Sequence, residues 1–181
     1  YSISLNQWLT DVAPFPSSTS QYQVIMADGA VYATQAYNAV FHRYSIQDNQ
    51  WTTLAAPPDA VGITGQMAWP GGDLIYVLSG NIAGEVPGHG FWTYSITSNL
   101  WNSGFDPSDL PVNPAMSPGL YYPGQGDFLY ALTSGVPVDS QLPASGNHLW
   151  AYSLSGNGWT PRAGAPGTVS GGRLASPGGT S

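Results

Sequence analysis

Glu85, the single glutamate of the chain, and His89 share the stretch SGNIAGEVPGHGFW, while Asp139 and His148 share a second one, TSGVPVDSQLPASGNHLW. A carboxylate and an imidazole on neighbouring loops have the chemistry for proton transfer or for holding a metal ion. Their spacing matches no metal-ligand motif, and exposed loops carry polar groups because they are wet. Solvation accounts for these four residues without chemistry, so no metal and no cofactor is expected. A further candidate is aromatic. Tyr37, with Trp69 and Tyr122, is of the type that stacks on sugars, although strands more often bury such rings in a core.

Composition narrows the chemistry further. The absence of cysteine excludes disulfide staples, thiol catalysis and zinc sites of the cysteine type. A net charge of −7 with only three basic residues, Arg43, Arg162 and Arg173, disfavours nucleic acid and anionic membrane surfaces, which both need several cations. No apolar run reaches the roughly 18 residues of a membrane-spanning helix, so direct membrane insertion is not expected. Charged residues make up 7% of the chain, while Gly (23) and Pro (16) are abundant and hydrophobic residues reach 42%. That is the profile of many short strands joined by turns around a sizeable core. A lysine-free surface rich in Ser, Thr, Gly and Asn suits an extracellular or cell-surface setting.

The elements that must position the candidates come from an internal repeat. The pattern Tyr-Ser-(Ile/Leu)-x-x-Asn-x-Trp occurs four times, as YSISLNQW (Tyr1, Trp8), YSIQDNQW (Tyr44, Trp51), YSITSNLW (Tyr94, Trp101) and YSLSGNGW (Tyr152, Trp159). The tryptophans follow one another at 43, 50 and 58 residues. Each interval holds a second pattern, an apolar-Tyr-apolar strand after a Gly/Asp turn, around Tyr32, Tyr76 and Tyr130. Hairpin parity with a turn centred on Leu5-Asn6 puts Ile3 opposite Trp8 and Tyr1 on the same face. Asn6, Asn49, Asn99 and Asn157 are expected to serve turn geometry, because Asn tolerates the left-handed conformation. Asp28, Asp73 and Asp127 read as turn formers before the second strand, and Asp106 and Asp109 as part of a turn or cap. His42 holds the slot of Trp92 and Trp150 and reads as a packed aromatic substitute with one nitrogen hydrogen-bonded.

Each unit is expected to hold four strands, at 22–27, 31–35, 40–46 and 50–54, then 66–69, 74–78, 91–96 and 100–102, then 119–122, 128–132, 148–154 and 158–160. Bulky groups on both faces of the third strand predict sheets sandwiched between layers. Helix is expected to be nearly absent. The organisation reads as the end of one unit (1–10), three whole units (11–54, 55–104, 105–161) and the start of another (162–181). Opening and closing inside a unit predicts either a segment of a larger ring or a ring completed by self-association of copies.

Ile75-Tyr76-Val77-Leu78-Ser79-Gly80 and the Tyr94…Trp101 pair resemble the kelch repeat, in which a strand ending in a Gly doublet precedes a Tyr and a Trp seven residues apart. The doublet is eroded to Ser79-Gly80, Gln35-Ala36 and Thr133-Ser134, so the likeness is to a divergent branch. It implies an all-β fold, a β-propeller of four-stranded antiparallel blades that binds ligands on its loops. The loops between second and third strands lengthen along the chain, and they are the expected seat of a protein or carbohydrate ligand. The expected function is therefore a non-catalytic recognition module. Galactose-oxidase-like or sialic-acid-mutarotase-like enzymes of the same superfamily are the alternative. The former implies copper and a Cys-Tyr crosslink, for which this chain offers no Cys. A purely structural surface protein is the third reading.

Overall fold

A computed structural model describes residues 3–4, 6–7, 10–17, 21–80, 90–102, 116–134 and 147–163. These residues form twelve strands and, among them, no helix. Sheet 1 contains β1 (Tyr22–Ala27), β2 (Ala30–Gln35), β3 (Phe41–Ser45) and β4 (Gln50–Thr53). Sheet 2 contains β5 (Gln66–Ala68), β6 (Leu74–Leu78), β7 (Phe91–Ser95) and β8 (Leu100–Asn102). Sheet 3 contains β9 (Met116–Tyr121), β10 (Phe128–Ser134), β11 (Asn147–Ser153) and β12 (Gly158–Pro161). Every pairing is antiparallel between consecutive strands, and all twelve strands fall where the repeat predicts them, to within a few residues at their ends. The described residues do not close into a ring.

Period-two alternation in the middle sheet explains how the sheets stack. Along β6, Ile75 and Val77 enter a core with Ala27, Tyr32 and Phe41 of sheet 1, while Tyr76 and Leu78 enter a second core with Leu129, Trp150 and Tyr152 of sheet 3. β7 divides likewise, Trp92 and Tyr94 facing sheet 1 and Phe91 facing sheet 3. The middle sheet is thus apolar on both faces, as the bulky third strand predicted.

Each interface is built on the same four rings. Tyr32 and Phe41 meet Tyr94 and Trp101, with Phe41 centred 4.8 Å from Tyr94 and 5.0 Å from Trp101, both edge-on. Tyr76 and Phe91 meet Tyr152 and Trp159, with Phe91 4.9 Å from Tyr152 and 5.1 Å from Trp159 in the same edge-on poses. Edge-to-face packing sets the negative ring face against a positive edge, worth about 0.5–1.5 kcal/mol per pair beyond burial.

The repeat hairpin differs from its expected register. Tyr44 pairs with Trp51, Tyr94 with Trp101 and Tyr152 with Trp159, which leaves four loop residues rather than two. Ile46 lies in the loop, exposed, instead of opposite Trp51. The slip is by two residues, so Tyr and Trp still share a face. Four-residue loops commonly close with a left-handed residue, and Asn6, Asn49, Asn99 and Asn157 all take positive φ, from 50° to 55°.

The asparagines do more than turn the chain. Asn99 Oδ1 accepts from the Tyr94 hydroxyl at 2.9 Å and from the Ala55 N–H at 2.9 Å, and Trp101 Nε1 donates to the Ala55 carbonyl at 2.8 Å. Asn49 and Trp51 grip Ala13 in the same way, at 2.8 and 3.2 Å, and Asn49 Nδ2 also donates to the Asp11 carbonyl. Both polar groups of one alanine, in the segment leaving the preceding unit, are therefore held by the next hairpin. Burial pushes the Tyr94 phenol up to about 12, which keeps it a donor to Asn99. In the fourth copy the Tyr152 hydroxyl likewise bonds Asn157.

The serine of the repeat clasps the strand turns. Ser95 Oγ donates to Asp73 Oδ2 at 2.6 Å, and the Thr97 N–H to Asp73 Oδ1 at 2.7 Å. Ser153 and Ser155 treat Asp127 identically, at 2.6 and 2.9 Å. These two aspartates therefore tie the first turn of a sheet to its last, beyond turn formation. Asp28 does form a turn, with positive φ alongside Gly29, and in sheet 1 Asp48 takes over the bond to Ser45. The hydroxyl of Ser95 first, then the groups of Thr97, hold the Asp73 carboxyl below its ordinary 3.8, and Ser153 and Ser155 lower Asp127. A carboxyl lowered in the fold lends stability in full above its unfolded value and loses it as pH falls through the folded one. Melting temperature is expected to fall below pH 3.8, and an Asp73→Asn, Asp127→Asn double variant should show a flatter acid limb in a pH series of thermal melts.

Candidate functional site

The two ends of the sheets are chemically distinct. The Asp-Ser clasps close one end, with the turns between first and second and between third and fourth strands. The opposite end carries the connections between second and third strands and those from one sheet to the next. Of the sequence candidates, Glu85, His89 and Asp139 lie outside the described residues, as do Tyr1 and Trp8 of the first repeat copy. Tyr37 and His148 lie within them, both at this second end, in sheets 1 and 3.

Tyr37 is in the β2–β3 connection with φ 64°, and its residue is 43% exposed. A left-handed tyrosine costs about 1–2 kcal/mol, and such residues persist where their surroundings over-determine them. Here the Tyr37 N–H donates to the Val61 carbonyl at 2.8 Å, the Ala36 N–H to the Gln21 carbonyl at 3.0 Å, and the Asn38 N–H to the Gln35 carbonyl at 3.3 Å. Val61, fully buried, forms bridges with Ala36 and Asn38 on either side. The same backbone network continues into sheet 2, where the Gly62 N–H donates to the Ser79 carbonyl at 2.7 Å and the Ser79 N–H to the Gly90 carbonyl at 2.8 Å. In sheet 2 the left-handed residue is Gly80, one position earlier in register and level with Ala36, with φ 71°, where a methyl group would run into the backbone of Thr64 and Gly65. Among the described residues every other non-glycine residue with positive φ is Asn or Asp, so Tyr37 alone carries an aromatic ring in that conformation.

His148 opens β11 opposite Thr133 and is buried, its ring 6.4 Å from that of Trp150. Its Nε2 has no hydrogen-bond partner among the described residues. Trp150 Nε1 donates to Thr133 Oγ1 at 3.2 Å beside it. His42 is buried as an aromatic substitute, with Nδ1 3.3 Å from Thr53 Oγ1 and Phe15 edge-on at 5.4 Å, and burial lowers its pKa. Trp69 and Tyr122 stand at the clasped end. Their polar atoms bond Gly72 and Gly126 within their own turns, and both pack against the cores. The fold therefore separates Tyr37 from the other two aromatic candidates.

One feature had no signature in the sequence. A cleft of 510 Å³ lies between the first strands of sheets 1 and 2, with Gln21, Gln23 and Val24 on one side and Ile63, Gln66 and Met67 on the other. Gln23 spans it, donating from Nε2 to the Ile63 carbonyl at 2.9 Å while its Oε1 accepts from Thr34 at 3.1 Å. Glutamines scattered over two strands 40 residues apart have no recognisable spacing, so only tertiary pairing brings them together. Among the described residues no group of three His, Asp or Glu side chains converges as a metal site would require. No protein-family model matches the chain, and no curated protein shows significant similarity to it.

Proposed function

We propose that the chain is a segment of a divergent kelch-like β-propeller and acts as a non-catalytic recognition module, in an extracellular or cell-surface setting, for a protein or carbohydrate ligand. The propeller reading is supported by how the sheets approach one another: neighbouring sheets come closest along their first strands, β1 against β5 and β5 against β9, as sheets fanning from a common axis would. The recognition reading rests on one observation, the exposed ring of Tyr37 held in a left-handed conformation at the loop end of the sheets. A residue with no role there would be expected to be glycine, asparagine or aspartate, the types that take positive φ at low cost, whereas a retained aromatic ring is the usual material of a binding surface.

The test is a glycan and protein-partner screen on the wild-type chain and on Tyr37→Gly. Glycine relieves the backbone, so thermal stability is expected to hold or rise by up to about 1 kcal/mol. Ligand retention is expected to drop at least about tenfold. A Tyr37→Gly protein that binds every retained ligand as the wild type does would overturn the placement of the recognition surface.

A further inference from the structure

We infer that the cleft between β1 and β5 is a binding seat for a neutral saccharide, continuous with Tyr37. The inference rests on the recognition reading above and names its ligand class. Every side chain lining the cleft is uncharged. An ionic ligand would lose hydration there without gaining a counter-charge. A neutral ligand with many hydroxyls faces no such penalty. Gln21 and Gln66 stand on opposite sides, and neither makes a side-chain hydrogen bond among the described residues. Each amide offers a donor and an acceptor together, which suits vicinal hydroxyls, groups that both give and receive hydrogen bonds. Val24 (64% exposed) and Ile63 (43% exposed) supply the apolar surface on which the C–H face of a sugar ring rests.

The two lips of this cleft are also the supports of Tyr37. Gln21 gives its carbonyl to Ala36, beside the tyrosine, and Val61, two residues before Ile63, gives its carbonyl to Tyr37 itself. The segments that hold Tyr37 in place thus also form the lips of the cleft, and on this inference the tyrosine is a stacking platform beside a hydrogen-bonding trough. A competing occupant, a peptide strand added to the free edge of β1, is less well served. The Gln23 side chain already crosses the cleft to the Ile63 carbonyl and stands in the path of a strand laid along β1.

The experiment titrates the full chain with a panel of neutral oligosaccharides (gluco-, galacto-, manno- and xylo-configured) and, in parallel, with neutral extended peptides. Side-chain amide NMR signals of Gln21 and Gln66 are followed together with calorimetry. At least one saccharide is expected to bind with a dissociation constant of about 1 mM or tighter, shifting both amide signals. A Gln21→Ala, Gln66→Ala double variant should weaken it about tenfold or more without moving the melting temperature. If saccharide binds the wild type but neither amide signal shifts, the cleft assignment is wrong while the recognition module stands. If only peptides bind, in a Tyr37-dependent manner, the saccharide class is wrong and the surface remains. If neither class binds a chain whose spectrum is that of a folded protein at about 10 mM ligand, the saccharide seat is refuted, and the broader recognition reading then depends on protein partners alone.

Discussion

Truncating Phe91 to alanine is expected to lower the unfolding free energy by about 3–5 kcal/mol, the range for removing a fully packed phenyl group. Phe91 is 3% exposed and is the hub of the second aromatic quartet, within 6 Å of Tyr76, Tyr152 and Trp159. A cavity there removes edge-on contacts to residues of sheet 3 that cannot follow the lost ring, because their own strands hold them in register. Sheet 3 provides the control, since Leu149 stands at the position of Phe41 and Phe91. Phe91→Leu keeps most of the buried volume but loses the two edge-on ring pairs, so it should cost less than the alanine variant, about 1–3 kcal/mol. Urea denaturation of the two variants separates a cavity effect from a general loss of fold. A loss below about 1 kcal/mol for Phe91→Ala would mean that sheets 2 and 3 do not rely on this interface.

Asn99→Ala is the second large effect, about 2–4 kcal/mol from two sources. Alanine at φ 55° is strained by its Cβ, and loss of Oδ1 leaves the Tyr94 hydroxyl and the Ala55 N–H without their acceptor. The two sources separate by substitution. Asn99→Gly accepts the left-handed backbone and loses only the hydrogen bonds, so about half the destabilisation should remain. A Tyr94→Phe, Asn99→Gly double-mutant cycle in the same denaturant series then measures the phenol bond, with an expected coupling of about 1 kcal/mol. Equal stabilities for the alanine and glycine variants would show that the backbone conformation contributes nothing and that the bonds from Tyr94 and Ala55 to Oδ1 carry the whole effect.

Both predictions sit on residues of the repeat, and the repeat is where the sequence was most legible. All twelve strands, their grouping in fours and the two-sided burial of the middle sheet follow from local information: a period of two, a glycine or aspartate at each turn, and a pattern recurring at blade-sized intervals. The left-handed asparagines were legible for the same reason, since turn conformation is decided by the residue and its immediate neighbours. The hairpin register was not, because a two-residue slip preserves every side chain's face and leaves no trace in the alternation; hydrogen bonds in the folded loop chose the longer turn. Nor was the full role of the repeat visible. Its asparagine read as a turn residue and its serine had no assigned role until the fold set Ser95 against Asp73, and Asn99 and Trp101 around the backbone of Ala55, 44 residues and more away.

The candidate site divides along the same line. Tyr37 was identifiable as an aromatic candidate, though core burial was the commoner expectation, and its sequence neighbours do not announce a positive φ; that conformation is held by Val61, which reaches it from the connection between sheets. His148 read as the end of a wet loop, whereas the ladder with β10 buries it. The cleft of glutamines left no sequence signal, because it is made by side chains of two first strands that meet only when separate sheets pack together. What the sequence alone determined about this protein is what short-range physics controls: strand, turn, repeat and the faces of each sheet. What only the tertiary structure decided is which polar groups meet across sheets, since a hydrogen bond between residues 40 apart depends on distances that periodicity does not encode.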